Sequence, residues 1–220
     1  MTAELLAQER IPVAALYGTE RWLETNRWLS PQVLEIFNLV TEADLKKISA
    51  LSTPNQVLAV VEMPLADFDP AWLRSDYCLY LDGIQDPGNL GAMLRIADWF
   101  GIPAVFCSPD TVDVFSPKVI QAGMGAFLRV PSFELPLDQL LEQYPELPIL
   151  GAVLGGENVF ESSLPGHGLL VIGREGRGLA VETEQRLTRR LTIPRHPNGG
   201  AESLNAAVAA GILAAVIRSR

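Results

Sequence analysis

Leu191–Arg220, LTIPRHPNGGAESLNAAVAAGILAAVIRSR, decides how the rest of the chain is read. Leu191–Pro194 predicts a short strand, the polar residues after it a tight loop, and Leu204–Ile217 a helix. Ser203 is placed to cap that helix, because its hydroxyl can accept from an amide of the first turn. Alanines and Gly211 make the helix apolar and small on every side, which predicts burial all round and close approach of other backbones. At about fourteen apolar-rich residues it is shorter than the roughly 20 that a bilayer span needs. The stretch therefore offers a strand, a loop able to face a ligand, and a buried helix.

Upstream the same order repeats. Tyr77–Leu81 (YCLYL) predicts a strand, Asp82–Asn89 (DGIQDPGN) a loop, and Leu90–Phe100 a helix stopped by Gly101 and Pro103. Ala104–Cys107 is the next strand, which implies a parallel pair with a right-handed crossover. A helix is expected from Lys118 to Ala122 and another over Leu137–Tyr144. Strands are expected at Leu128–Val130, Ile149–Val153 and Leu169–Ile172. Gly173–Gly178 (GREGRG) follows the last of these and precedes a helix over Leu179–Leu187. The fold class is α/β with a parallel sheet, and ligands in such sheets bind beyond the carboxyl ends of the strands. Three loops occupy that position: DGIQDPGN, GREGRG and RHPNGGAE.

Residues 1–76 predict a smaller unit of alternating elements. Val13–Gly18, Val33–Val40 and Val57–Val61 read as strands, and Thr19–Trp28 as a short helix. Thr41 and Asp44 form a capping pair that opens a helix through Leu51. The linker falls at Met63–Pro70, where two prolines interrupt the pattern. The domain limits are thus 1–68 and 77–220. No residue of the first domain has catalytic spacing, and its plain reading is a binding or packing module.

Composition narrows the function. The 220 residues are 48% hydrophobic, enough for one large or two small cores. The N-terminal residues are polar and acidic, with neither a signal peptide nor a membrane span. Cys78 and Cys107 lie in apolar strand-like runs, as reduced thiols of a cytoplasmic protein do. His167 and His196 are too few and too far from them for a zinc site. A net charge of −9 argues against nucleic-acid binding by bulk electrostatics. Yet residues 77–220 hold ten arginines and one lysine, and Arg95, Arg174, Arg177 and Arg195 lie in or beside the three loops. A local arginine patch is compatible with the acidic whole.

Each loop has a plain reading beside a chemical one. Asp86-Pro87-Gly88-Asn89 is a turn whose Asn89 can cap the following helix, and Arg95, in the second turn of that helix, can reach back toward the loop. A surface turn and a solvated arginine explain the same residues. GREGRG suits an anion-binding nest or ordinary turn geometry, and Glu175 can simply complement a helix start. Ser203 and Asn205 are also natural caps. Together, however, the three strand-to-helix loops offer Asn89, Arg95, Glu175, Ser203 and Asn205 at one edge.

LDGIQDPGNLGAMLRIADWFG, LLVIGREGRGL and TIPRHPNGGAESLNAAVAAGIL resemble, in order, the three motifs of the SpoU (TrmH-like) RNA 2′-O-ribose methyltransferases of the SPOUT class. The resemblance covers about residues 77–217. Residues 1–62 resemble the small α/β ribosomal-protein-like (L30e-like) RNA-binding domain that often precedes it, truncated of its usual first helix and strand. Arg195-His196-Pro197-Asn198 departs from the family, many members of which have a methionine and a shorter turn there.

The resemblance implies a parallel-sheet SPOUT domain with a C-terminal trefoil knot, S-adenosyl-L-methionine as cofactor, no metal, and a homodimer that completes each site. It implies 2′-O-methylation of a ribose in structured RNA, ribosomal or transfer, in the cytoplasm and without a membrane partner. Gly173, Ile193 and Leu204 match the cofactor contacts. Asn89, Arg95, Glu175, Ser203 and Asn205 match the catalytic and substrate set. The alternative on the same fold is a non-catalytic RNA-binding or assembly factor.

Overall fold

The computed structural model describes residues 1–8, 11–64 and 67–219. It divides into two compact units, Met1–Leu65 and Ala66–Arg220. Of the linker expected at Met63–Pro70, residues 65 and 66 lie outside the described residues.

The first unit runs α1 (Thr2–Ala7), β1 (Val13–Gly18), α2 (Glu20–Thr25), α3 (Pro31–Glu35), β2 (Phe37–Leu39), α4 (Glu42–Ile48) and β3 (Val57–Val61). Its sheet has the order β2-β1-β3, with β1 parallel to β2 and antiparallel to β3. The strand expected over Val33–Val40 is split: residues 33–35 end α3, and only Phe37–Leu39 is strand. Ser30 caps α3 through Val33 N, and Pro31 sits at the first helical position, so only the last residues of that run stay extended. Thr41 and Asp44 form the capping box of α4, which holds the Asp44 carboxyl below its usual range and ends at Ile48 rather than Leu51.

The second unit begins with α5 (Ala71–Ser75), β4 (Tyr77–Leu81), α6 (Pro87–Trp99), β5 (Val105–Cys107) and α7 (Pro117–Gly123). A 3₁₀ turn over Ala126–Leu128 replaces the strand expected at Leu128–Val130, and the strand itself, β6, is Ser132–Glu134. Pro131, which cannot donate to a ladder, marks that boundary. There follow α8 (Leu137–Gln143), β7 (Ile149–Asn158), β8 (Gly168–Ile172), α9 (Val181–Gln185), β9 (Arg189–Thr192) and α10 (Ala206–Arg218). The six strands are all parallel, in the order β6-β5-β4-β8-β7-β9.

Both faces of this sheet are covered, which is why its strands read as continuous apolar runs. In β4, Leu79 and Leu81 point into the layer formed with α6 and α10. Cys78 and Tyr80 point the other way, among Phe106, Leu140 and Ile149. Burial pushes both thiols, Cys78 and Cys107, up to about 12, so neither is a reactive nucleophile. On the first face α6 and α7 touch backbone to backbone. A Cβ on Gly91 would stand 2.7 Å from Gly123 N, so any larger residue forces the helices apart.

Helix α10 leaves the edge strand β9 but packs on α6, the connection between β4 and β5. Its apolar surface is buried on one side only, contrary to the expectation of burial all round. Ala207, Ala210, Leu213 and Ala214 are buried, whereas Val208 and Ala215 are exposed. Arg218 fastens its last turn. The guanidinium donates to Phe100 O at 2.7 Å and Gly101 O at 2.8 Å, and pairs through two nitrogens with Asp76 at 2.5 and 3.1 Å. One cation thus satisfies carbonyls at the end of α6 and the carboxylate just before β4.

Candidate active site

Asp86, not Asn89, caps α6. Its carboxylate accepts from Asn89 N at 2.8 Å and Pro87 takes the first helical position, so the helix starts three residues earlier than Leu90. Asn89 then lies inside the first turn with its side chain free for other partners. Arg95 moves from the second turn to the third.

At α10 the cap is Asn205, not Ser203. Its Oδ1 accepts from Ala207 N at 3.0 Å and Val208 N at 3.1 Å. That orientation turns Nδ2 outward, where it donates to Asn89 Oδ1 at 2.8 Å and to Glu175 Oε1. Asn89 Nδ2 donates to the same Glu175 oxygen at 3.1 Å, and Ala206 N reaches it at 3.3 Å. Residues 86 and 116 apart in sequence are therefore closed into one polar ring. A carboxylate at the start of a 13-residue helix meets the positive end of its dipole. The second oxygen of Glu175 takes no protein hydrogen bond among the described residues.

The remaining expected residues make no side-chain bond to this ring among the described residues. Arg95 and Ser203 are exposed, and their side chains make no hydrogen bond or ion pair among the described residues. Gly173 is buried, and a Cβ there would fall 2.6 Å from Leu179 N, so the loop's own packing demands glycine. Ile193 is half-buried against the core, and Leu204 is 46% exposed.

Two features of the edge escaped the sequence reading. In β7, Ala152 and Glu157 both register with Leu191, so the residues between them bulge out. The bulge carries Leu154, 76% exposed, at the carboxyl end of a strand flanked by β8 and β9. The Gly155-Gly156 doublet inside an apolar run was the available signal. The second is Asp82, 3% exposed, whose Oδ2 accepts from Ala180 N at 2.6 Å. Burial raises its carboxyl above the usual range, against the hydrogen bond from Ala180.

Among the described residues no group of His, Cys, Asp and Glu is placed to hold a metal ion, and no helix is long and apolar enough to cross a membrane. Two shallow depressions, about 360 and 250 Å³, lie elsewhere, around Glu42 and Gln56 and around Tyr144 and His167. Neither includes the ring, which is an open rim of loops.

Residues 76–215 match the SpoU rRNA Methylase family. A 23S rRNA (guanosine(2553)-2′-O)-methyltransferase of Bacillus subtilis is 29% identical over 80% of this chain and 69% of its own length. A 23S rRNA (uridine(2479)-2′-O)-methyltransferase of Streptomyces viridochromogenes is 31% identical over 76% of this chain, which spans only 61% of that relative. Among solved structures, a TrmH-family protein from Porphyromonas gingivalis superimposes with a TM-score of 0.85 and 39% identity, covering 100% of this chain and 86% of its own. The SpoU methyltransferase AviRb from Streptomyces viridochromogenes, solved with AdoMet, gives a TM-score of 0.80 at 26% identity, over 99% of this chain and 86% of that one.

Proposed function

The chain belongs to the SpoU rRNA methylase family, and from that premise we propose that it transfers a methyl group from S-adenosylmethionine to a ribose 2′-hydroxyl of RNA. It is an S-adenosylmethionine-dependent RNA 2′-O-methyltransferase, in keeping with relatives named as 23S rRNA 2′-O-methyltransferases and a similar structure solved with AdoMet. The observation that carries this reading is the ring of Asn89, Glu175 and Asn205 at the carboxyl edge of the parallel sheet.

The cofactor fits the rim beside the ring. Leu154 and Leu204 leave large aliphatic side chains in water at that edge. Gly173, Ile193 and Leu204 would hold the cofactor, with the Leu154 bulge as a further wall. Bound there, S-adenosylmethionine supplies an electrophilic methyl carbon on a sulfonium. The chain's own residues mainly align the ribose oxygen, and alignment is worth roughly 7–11 kcal/mol of barrier. Asn89 and Asn205 lock Glu175, whose free oxygen accepts from a ribose hydroxyl or from Arg95. A guanidinium is no base in a protein, so Arg95 has another role. It grips a neighbouring phosphate and stabilises the developing alkoxide. Ser203, exposed two residues before the cap, is a further substrate contact.

Finer parts of the reading have their own support. A trefoil knot accords with the path from the edge strand β9 past β7 and β8 to a helix packed on α6. A homodimer accords with Val208 and Ala215 left open on α10 and with Trp99, 84% exposed on α6. An RNA-binding role for the first unit accords with exposed Trp28, 53% in solvent, beside Arg27. Structured ribosomal or transfer RNA is the substrate, in the cytoplasm, where the free Cys78 and Cys107 stay reduced.

The test is methyl transfer from labelled S-adenosylmethionine to total RNA of a strain lacking the gene, with the modified ribose mapped. Transfer to one 2′-oxygen, lost on Glu175→Gln, is expected. Label on a base, or on no RNA at all, would overturn the reading, the latter in favour of a non-catalytic RNA-binding factor.

A further inference from the structure

Arg174 stands outside the polar ring, yet it ties the ring's loops together. Its Nη2 meets Asp110 Oδ2 at 2.7 Å, across 64 residues. The other oxygen of Asp110 accepts from Ser108 Oγ at 2.6 Å, and Ser108 Oγ accepts from Gly83 N at 2.8 Å. The guanidinium also lies directly over Gly83. A Cβ built there would come within 2.8 Å of Arg174 Cζ and Nη2, and Gly83 has φ +68°. Along the main chain, Arg174 and Gly178 exchange two hydrogen bonds of 3.0 Å, closing the turn that presents Glu175. On the far flank Ala180 N is fixed to Asp82. The loop carrying Glu175 is thus sewn on both sides to the loop that leads into Asn89.

We propose that Arg174 is a positioning residue that, through Gly83 and Asp110, sets where Glu175 stands against Asn89 and Asn205. This rests on the methyl-transfer reading for its consequence, but not for its geometry. Without the guanidinium, the turn over residues 174–178 keeps its backbone pair and the bonds of Glu175 but loses its tie to Asp110 and Gly83. A displacement of about 1 Å at a site that works by alignment costs on the order of 10²-fold. Lysine offers a charge to Asp110 but no plane to lie on Gly83.

Arg174→Ala, Arg174→Lys, Asp110→Asn and Gly83→Ala, singly and combined, test it. Single-turnover methyl transfer is measured at saturating RNA and cofactor, with S-adenosylhomocysteine affinity by calorimetry and amide exchange over residues 174–178. Arg174→Ala should slow transfer on the order of 10–100-fold while affinity stays within about threefold. Arg174→Lys should recover part of the rate. Asp110→Asn should add nothing in the Arg174→Ala background, and Gly83→Ala should cost less there than in wild type. Amides of 175–178 should exchange faster in Arg174→Ala with the rest of the sheet unchanged. Wild-type rate and exchange in Arg174→Ala would overturn the proposal, as would loss of cofactor affinity in step with rate. If the wild type methylates no RNA, the functional reading fails by itself, and the amide exchange alone upholds or overturns the positioning role.

Discussion

Asn205 Nδ2 donates to Asn89 Oδ1 at 2.8 Å, joining the first turns of two helices 116 residues apart in the chain. The same Asn205 caps its own helix, so one side chain both starts α10 and fixes the ring. The two roles can be separated. Asn205→Asp keeps the capping oxygen but sets a second carboxylate against Glu175, whereas Asn205→Ala loses both. Denaturant unfolding should show Asn205→Ala less stable by about 1–2 kcal/mol. Asn205→Asp should recover much of that only when Glu175→Gln removes the repulsion. Equal stability of Asn205→Ala and wild type would contradict the cap.

Arg218 makes a comparable tie at the other end of α10. It is partly exposed, but it serves two carbonyls and one carboxylate at once. Arg218→Ala should cost about 2 kcal/mol, the usual range for charged hydrogen bonds. In a double-mutant cycle with Asp76→Ala the losses should be less than additive. Additive losses would mean that the ion pair contributes nothing.

Asp82 gives a pH dependence whose sign follows from burial. Its folded carboxyl titrates above the unfolded one, so between the two values the folded state holds more protons. Stability contributed by this group therefore falls as pH rises through that window. Asp82→Asn, which keeps an acceptor for Ala180 N, should flatten that part of the profile, which lies above the ordinary aspartate value of about 3.9. Thermal melts across the range would check it, and parallel profiles for both proteins would refute it.

Much of the fold was legible because it is local. The β4–α6–β5 unit follows from an apolar run, a turn-forming loop and a stop at Gly101 and Pro103, although its helix starts at Pro87 rather than Leu90. Val33–Val40 misled because its apolar spacing suits either state, and Ser30-Pro31 decides for helix. Ser203 and Asn205 are both good caps two residues apart, and what chooses between them is Glu175, 30 residues upstream in the chain. The bulge at Leu154 and the place of β9 at the edge depend on pairing partners, which no local pattern encodes. Gly173 is expected to contact the cofactor, and the backbone of Gly178 and Leu179 leaves no room for a side chain there. Replacing it would disturb the loop before it reported on any ligand.

The open apolar side of α10 bears on assembly. Val208 is 50% exposed on the open side of a helix whose other side packs against α6. We expect a dimer by sedimentation at roughly micromolar protein, and a monomer for Val208→Glu, since a buried unpaired charge is costly. Unchanged sedimentation of Val208→Glu would place any interface elsewhere.

Arg95 separates an enzyme from a binding factor. It is exposed on the third turn of α6, whose packing is carried by Leu90, Met93 and Leu94. Alanine is the best helix former, so Arg95→Ala should leave folding and cofactor affinity nearly intact. If the guanidinium acts on the ribose or its phosphate, turnover should fall on the order of 10²–10³-fold, as when one oxyanion donor is removed. Arg95→Lys should restore it only partly, because a point charge does not reproduce a two-point grip. No protein group is bonded to Arg95 among the described residues, so a loss of rate would report on substrate rather than on a broken internal contact. Single-turnover transfer to RNA, beside calorimetry with S-adenosylhomocysteine, measures both quantities. Equal rates for wild type and Arg95→Ala would end the catalytic role and leave Glu175 as the nearest polar group to the chemistry.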